Sequence, residues 1–496
     1  MLYNSTRNKG VSVSSAKAIN DGISKDGGLF VPEVLPKLDK AFVDNIKNLD
    51  YIGRAKAVLK LFLSDFTDQE IDQCVIGAYS NNFDDNIPAP LSDMSDGTYI
   101  LELWHGPTCA FKDMALQILP HLLTKSASKA GDGKRTVILV ATSGDTGKAA
   151  LEGFKDVENT DIIVFYPVDG VSNTQKLQMA TQAGNNVYVC AINGNFDDAQ
   201  SGVKKIFTDS AVAQKLADNN MAFSSANSIN WGRLLPQIVY YISAYCDLIN
   251  ANDKVESFNV VVPTGNFGNI LAAFYAKCMG IPINKLICAS NSNNVLTDFI
   301  KTGTYDRNRS FFTTISPSMD ILISSNLERL LYHLSGNDDT RVSKWMKELS
   351  DKGVYTVDED VRKAVADYFV AGYADDEKTK ATINKLFTNK GYLCDTHTAV
   401  AISVYEEYAA TTGDKTPTVI VSTASPYKFA ADVLDAVEKG KADGLDGIEC
   451  MNTLSKTTAT SIPAPLENLA EREIRFKQTV DPADMAEVVF DYLNIK

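Results

Sequence analysis

Apolar residues along this chain follow two rhythms. Between residues 37 and 83 they recur at helical spacing. The stretch Ile52-Gly-Arg-Ala-Lys-Ala-Val-Leu-Lys-Leu-Phe-Leu presents one apolar stripe, which predicts an amphipathic helix. Asp65-Phe-Thr-Asp-Gln-Glu then provides a fresh start, with Thr67 and Glu70 spaced as a capping box. Residues 84 to 97, with Pro88 and Pro90, read as a connector. Beyond it the rhythm becomes short continuous apolar runs followed by helical patterns. Thr136-Val-Ile-Leu-Val-Ala, Asp161-Ile-Ile-Val-Phe-Tyr, Val187-Tyr-Val-Cys-Ala-Ile, Asn259-Val-Val-Val, Leu286-Ile-Cys-Ala and Thr418-Val-Ile-Val-Ser predict six strands. Strands so apolar are buried on both faces, as in parallel sheets covered by helices. The pattern predicts an α/β chain with two sheets. Residues 300 to 390 carry helical pattern and charge with weak strand signals, and are expected to be a helical elaboration. Residues 451 to 482 leave the type of element open.

Composition narrows the function classes. The 496 residues include 62 acidic and 48 basic side chains, a net charge of −14. That balance excludes a general binder of nucleic acid or anionic membrane, because phosphate surfaces repel it at long range. A local basic pocket for a small anion stays open. Met1-Leu-Tyr-Asn-Ser-Thr-Arg has no apolar core of a signal peptide. The uncharged run between Glu256 and Lys277 contains Pro263, Gly265 and Gly268, which suits a strand, loop and helix and not a membrane span. The eight cysteines form no Cys-x-x-Cys, and four histidines provide no zinc-type cluster. Reduced structural thiols in a cytoplasmic protein are the expectation.

Ligands of open parallel sheets bind at the carboxyl ends of strands. In Val260-Val-Val-Pro-Thr-Gly-Asn-Phe-Gly-Asn, Gly265 and Gly268 permit a tight turn ahead of a helix starting near Asn269. Free N–H groups and the positive helix end make an anion cradle there, most naturally for a phosphate; a plain helix cap is the alternative. Val140-Ala-Thr-Ser-Gly-Asp-Thr-Gly-Lys-Ala resembles a nucleotide P-loop, but that motif requires Gly at 142 and Ser or Thr at 149, where the chain has Thr142 and Ala149. What remains is a hydroxyl-rich helix start suited to a carboxylate or phosphate, in which Asp145 could equally be only the N-cap. Val421-Ser-Thr-Ala-Ser-Pro-Tyr-Lys is a weaker third junction. Finally, Lys112 lies among Trp104, Phe111, Met114 and Leu116. A desolvated lysine favours the neutral amine that forms a Schiff base, and a solvated lysine is the alternative.

Together these segments resemble the threonine synthase family, pyridoxal-phosphate (PLP) enzymes of fold-type II. The resemblance is carried by Tyr3-Asn-Ser-Thr-Arg, Asp26-Gly-Gly-Leu-Phe-Val-Pro, His105-Gly-Pro-Thr-Cys-Ala-Phe-Lys-Asp, Thr142-Ser-Gly-Asp-Thr-Gly, Asn227-Ser-Ile-Asn-Trp-Gly-Arg, Thr264-Gly-Asn-Phe-Gly-Asn, Ser316-Pro-Ser-Met-Asp-Ile and Ser422-Thr-Ala-Ser-Pro. It implies two open, mainly parallel sheets flanked by helices, plus a helical N-terminal segment. The expected division is a mostly helical domain over 1–95, a smaller α/β lobe over 96–235, and a larger lobe over 236–496 with an insertion around 300–390.

The resemblance also implies the activity and its residues. O-phospho-L-homoserine and water would become L-threonine and phosphate. Lys112 would bond the cofactor and later move protons. Gly265, Asn266, Phe267, Gly268 and Asn269 would hold the cofactor phosphate, and Thr423 would face the pyridine nitrogen. Ser143, Asp145 and Thr146 would meet the substrate carboxylate. Asn227, Ser228, Asn230 and Arg233 are candidates for the substrate phosphate, with Lys148 behind them. Many relatives have histidine where this chain has Ser425, so any role of that histidine is absent. Competing expectations are a phospho-lyase releasing 2-oxobutyrate and a non-catalytic PLP-binding protein. A compact fold-type II dehydratase or O-acetylserine sulfhydrylase fits less well, because neither has the long N-terminal segment or the 300–390 region. No nucleic-acid or membrane partner is expected, and the assembly is expected to be a monomer or homodimer.

Overall fold

The computed structural model describes residues 1–84, 87–130, 133–142, 144–168 and 171–495. Two parallel sheets organise it, as the apolar runs predict. The five-stranded sheet has the order Thr479–Val480, Val187–Ile192, Thr160–Pro167, Arg135–Ala141, Met221–Ser224, and every pairing is parallel. The six-stranded sheet has the order Phe369–Tyr373, Ile283–Ser290, Phe258–Pro263, Thr418–Ser422, Thr98–Glu102, Leu91–Asp93. Only its last pair is antiparallel. Phe258–Pro263 and Thr418–Ser422 are buried along their whole length, because helices cover both faces of the sheet.

The apolar core falls into three clusters. One lies between the sheets and the N-terminal helices, around Trp231, Tyr275 and Phe62. A second packs the six-stranded sheet against Asp376–Lys390, Thr396–Thr412 and Ala430–Val437. The third covers the outer face of the five-stranded sheet with Phe196–Thr208 and Met485–Tyr492. Residues 37 to 83 are helical as expected, in Lys40–Ile46, Tyr51–Phe62 and Asp68–Tyr79. The last of these carries the predicted capping box: Thr67 accepts from the Glu70 amide while Glu70 accepts from the Thr67 amide.

Four expectations need correction. The N-terminal segment is not only helical, since Leu2–Ser5, Asn8–Ser14 and Phe30–Pro32 form an antiparallel sheet. The connector over 84–97 contains the strand Leu91–Asp93. The 300–390 region holds a two-stranded ribbon, Thr304–Asp306 with Val354–Thr356, and its Phe369–Tyr373 is the edge strand of the larger sheet. Apart from the seven-residue Asn8–Ser14, these strands are three to five residues long, too short for a period of two to emerge. Sheet membership also departs from the linear division into lobes. Thr98–Glu102 belongs to the six-stranded sheet, while Thr479–Val480 and the C-terminal helix belong to the five-stranded layer.

Among the described residues no helix is long and apolar enough to cross a membrane, and no cluster of three His, Cys, Asp or Glu side chains could hold a metal. All eight cysteines are free, and seven are buried.

Candidate active site

Lys112 stands just before the short helix Asp113–Leu116, held against the end of the strand Thr418–Ser422. The Phe111 amide donates to the Thr423 carbonyl at 2.8 Å, and Ala110 bridges to Ala424. This threads the lysine past the carboxyl end of the larger sheet, where Thr423 is buried. The Lys112 side chain is 9% exposed. Its Nζ lies 3.4 Å from Asp145 Oδ2 and 3.4 Å from Ser318 Oγ. Burial lowers the Lys112 pKa, helped by the charges of Lys428 and Arg233 and opposed by Asp145. The desolvated-lysine expectation is therefore the one realised, and the solvated alternative is not.

Asp145 is not a helix cap. The helix Asp145–Phe154 starts after Gly144, which adopts a left-handed φ of +136°, and Asp145 is its first residue. Capping falls to Thr142, whose Oγ1 accepts from the Gly144 and Gly147 amides at 3.0 and 2.9 Å. The Asp145 carboxylate turns inward to Lys428 Nζ at 2.7 Å and Gln175 Nε2 at 3.0 Å. Burial opposes its ionisation, but Lys428 and Lys112 outweigh that and hold its pKa well below the usual carboxylate range. Among the described residues the Asp145 and Thr146 amides have no acceptor, so this helix start can receive a carboxylate. Ser143 lies outside the described residues.

The glycine loop forms the second wall. Phe267 adopts a left-handed φ of +63° and precedes the helix Gly268–Met279. Among the described residues none of the six backbone amides from Gly265 to Ile270 finds an acceptor. Asn269 Oδ1 accepts from both Tyr240 and Tyr241 hydroxyls, at 2.6 and 2.5 Å, which leaves its buried Nδ2 without a partner. Donors gathered at a helix start with no internal acceptor fit a phosphate. Gly265 is pressed against the turn Pro317–Met319, and a Cβ on it would lie 2.7 Å from the Ser318 carbonyl oxygen. That contact sets the loop beside the Ser318 hydroxyl and hence beside Lys112.

The segment 227–233 meets this loop through a hydroxyl chain, Ser228 Oγ to Ser325 Oγ at 3.3 Å and Ser325 Oγ to Asn266 Oδ1 at 3.3 Å. Its candidates separate by their partners. Arg233 is buried, donates to the Ala226 carbonyl at 2.9 Å, and has an unpartnered Nε. Among the described residues it has no carboxylate partner; burial pushes its pKa down to about 10, so it stays charged at neutral pH. Asn227 is exposed. Asn230 is spent as an N-cap: Oδ1 accepts from the Gly232 amide, and Nδ2 donates to the Ile19 and Ser225 carbonyls. Lys148 is likewise occupied, by Glu152 at 2.9 Å and by Gln182.

Three participants escaped local sequence patterns. Lys428 is fully buried at the side chain, ion-paired to Asp145, and donates to the Thr108 carbonyl at 2.9 Å. Ser318 faces Lys112, and its amide donates to His397 Nε2 at 3.1 Å. His397 Nδ1 sits 2.8 Å from Asp395, which fixes the ring with its proton on Nδ1. Lys428 closes the hydroxyl-rich junction and Ser318 lies within Ser316-Pro-Ser-Met, so both were adjacent to a noticed motif; His397 carried no signal. Ser425 caps the turn Pro426–Phe429 by accepting from the Tyr427 amide.

Known proteins resemble this chain along most of its length. Residues 2–79 match the family "Threonine synthase N terminus", 90–370 match "Pyridoxal-phosphate dependent enzyme", and 398–489 match "Threonine synthase, C-terminal". The threonine synthase of Pseudomonas aeruginosa is 36% identical over 98% of this chain and 97% of its own. "Threonine synthase-like 1" of Homo sapiens is 41% identical over 85% of this chain, and the match spans 58% of that longer relative. The crystal structure of PLP-bound threonine synthase from Brucella melitensis superposes with a TM-score of 0.88, at 35% identity, over 99% of both chains. With an amide cradle for a phosphate, a buried lysine beside it and these relatives along its whole length, the chain belongs to the threonine synthase family of pyridoxal-phosphate-dependent enzymes.

Proposed function

We propose that the chain converts O-phospho-L-homoserine and water into L-threonine and inorganic phosphate. The observation that carries this reading is a buried, deprotonation-prone Lys112 between two anion cradles and one uncompensated buried arginine. The residues fit pyridoxal phosphate. The amides of Gly265, Asn266, Phe267, Gly268 and Asn269 would hold its phosphate, Lys112 would bond its aldehyde carbon, and Thr423 would meet its ring nitrogen. Among the described residues the Thr423 hydroxyl takes no hydrogen bond of its own. When bound, the cofactor supplies an electron sink for the substrate carbons.

The side chains then divide the work. The free amides at the start of Asp145–Phe154, with Thr146 and Ser143, receive the substrate carboxylate. Arg233 and Ser228 receive the phosphate that leaves, and the guanidinium offsets its charge as the bond breaks. Lys112 Nζ takes the α proton and returns protons at later carbons, which a pKa lowered by burial favours. Ser318 Oγ, 3.4 Å from that Nζ, steadies the amine between transfers. Water is wanted only at the β carbon after phosphate has gone, and burial of Lys112 and Asp145 keeps the early steps dry. The small-molecule substrate and free thiols suit a cytoplasmic enzyme.

Incubation with O-phospho-L-homoserine and PLP tests this directly. Amino-acid analysis is expected to show L-threonine equimolar with released phosphate. Accumulation of 2-oxobutyrate would reassign the chain as a phospho-lyase, and release of neither would make it a cofactor-binding protein.

A further inference from the structure

Two buried lysine side chains share a single carboxylate. Among the described residues Asp145 is the only acidic partner of Lys428 and the only acidic partner of Lys112. The sharing is unequal. Lys428 Nζ reaches Oδ1 at 2.7 Å, and Gln175 donates to the same oxygen, while Lys112 Nζ stands 3.4 Å from Oδ2. Lys428 is also clamped by the Thr108 carbonyl and its side chain is wholly enclosed. Charges on neighbouring elements do not alter the count. The Asp113 carboxyl is taken up by the Thr108 amide and hydroxyl, and Lys148 is balanced by Glu152. Arg233 adds a further positive charge toward Lys112.

A buried carboxylate left alone beside Lys112 would hold it as an ammonium, which cannot attack a carbonyl carbon. We infer that Lys428 is a positioning residue, which takes up the Asp145 carboxylate and so releases the Lys112 amine for bonding to the cofactor aldehyde. In that step a C=N bond forms, the C=O bond breaks, and the oxygen leaves as water with both amine hydrogens. The inference rests on Lys112 being the residue that bonds the cofactor. It assigns Lys428 no contact with substrate.

The test follows covalent capture of free pyridoxal phosphate by the full-length apo chain as a function of pH. Borohydride traps the bond, and peptide mass locates it. In Lys428→Met the pH midpoint for capture is expected to rise, with capture at pH 7 slowed about tenfold for each unit of rise. Lys428→Arg keeps the wild-type midpoint, and the pair Lys428→Met with Asp145→Asn returns to it or falls below it. A Lys428→Met midpoint equal to or below wild type overturns the inference. Should the methionine variant fail to fold, Lys428→Gln, which keeps a donor without the charge, is read by the same criterion. A wild-type label found away from Lys112 overturns the assignment of Lys112 and the inference with it, whereas a label on Lys112 with an unmoved midpoint overturns the inference alone.

Discussion

The Cα of Gly153 packs against the carbonyl oxygen of Leu116 so closely that a methyl group there would overlap it. Leu116 ends the short helix that follows Lys112, and Gly153 belongs to the helix that begins with Asp145. This backbone contact therefore sets the spacing between Lys112 and Asp145. Gly153→Ala is expected to cost about 1–3 kcal/mol of stability, the range for forced overpacking. Urea unfolding measures it. A loss under about 0.5 kcal/mol would mean that the two helices separate freely, within the scatter of ordinary surface changes.

Arg233→Met should separate binding from chemistry. A charged hydrogen bond contributes roughly 1.5–3 kcal/mol, so KM for the phosphorylated substrate should rise about ten- to a hundredfold. The cofactor absorbance is expected to stay, because the cradle at Gly265–Asn269 is intact. Steady-state kinetics beside a PLP spectrum decide it; loss of the spectrum with an unchanged KM would move Arg233 to the cofactor.

Much of this site was legible before any coordinates. Six continuous apolar runs announce parallel strands because burial on both faces leaves no polar positions. The glycine loop announces its amides because Gly265 leaves room for the Ser318 turn, although the left-handed position of the turn falls on Phe267 and not on a glycine. Lys428 was not legible, since its meaning depends on a carboxylate 283 positions away in sequence, from 428 − 145. Asp145 stayed open between a cap and a ligand contact for a different reason. Helix starts favour aspartate locally, and only the fold turns its carboxylate inward. Asn230 was drawn to the substrate by its motif, whereas capping saturates it.

Gly265→Ala should weaken cofactor binding. Its Cβ would lie 2.7 Å from the Ser318 carbonyl, and either the loop or the Ser318 turn must retreat. A cost of about 1–3 kcal/mol placed on the bound state corresponds to roughly a five- to 150-fold weaker PLP affinity. Titration of the apo chain followed by absorbance reports it, and wild-type affinity would refute the close approach.

Asp113 gives a pH signature. Burial raises its carboxyl to about 6, against donation from the Thr108 amide and hydroxyl. The folded chain thus binds this proton more tightly than the unfolded chain, whose carboxyl titrates near 3.8. The resulting stabilisation is full below about 3.8 and is lost as pH rises through about 6. Between pH 8 and pH 5 the wild type should gain about 1 kcal/mol relative to Asp113→Asn. Unfolding free energies at the two pH values check this; a gain in the opposite direction would place the Asp113 pKa below its ordinary value.

The sheet crossings bear on how such a chain can be cut or inherited. The five-stranded sheet, laid down between residues 135 and 224, is completed at its edge by Thr479–Val480 and covered by Met485–Tyr492. The six-stranded sheet in turn takes Leu91–Asp93 and Thr98–Glu102 from ahead of the smaller one. Each sheet thus borrows a margin from beyond the other, like two links closed through each other. A gene fragment that encodes either sheet in one continuous piece would leave an unsealed edge and a bare apolar face, so the two are passed on together or not at all.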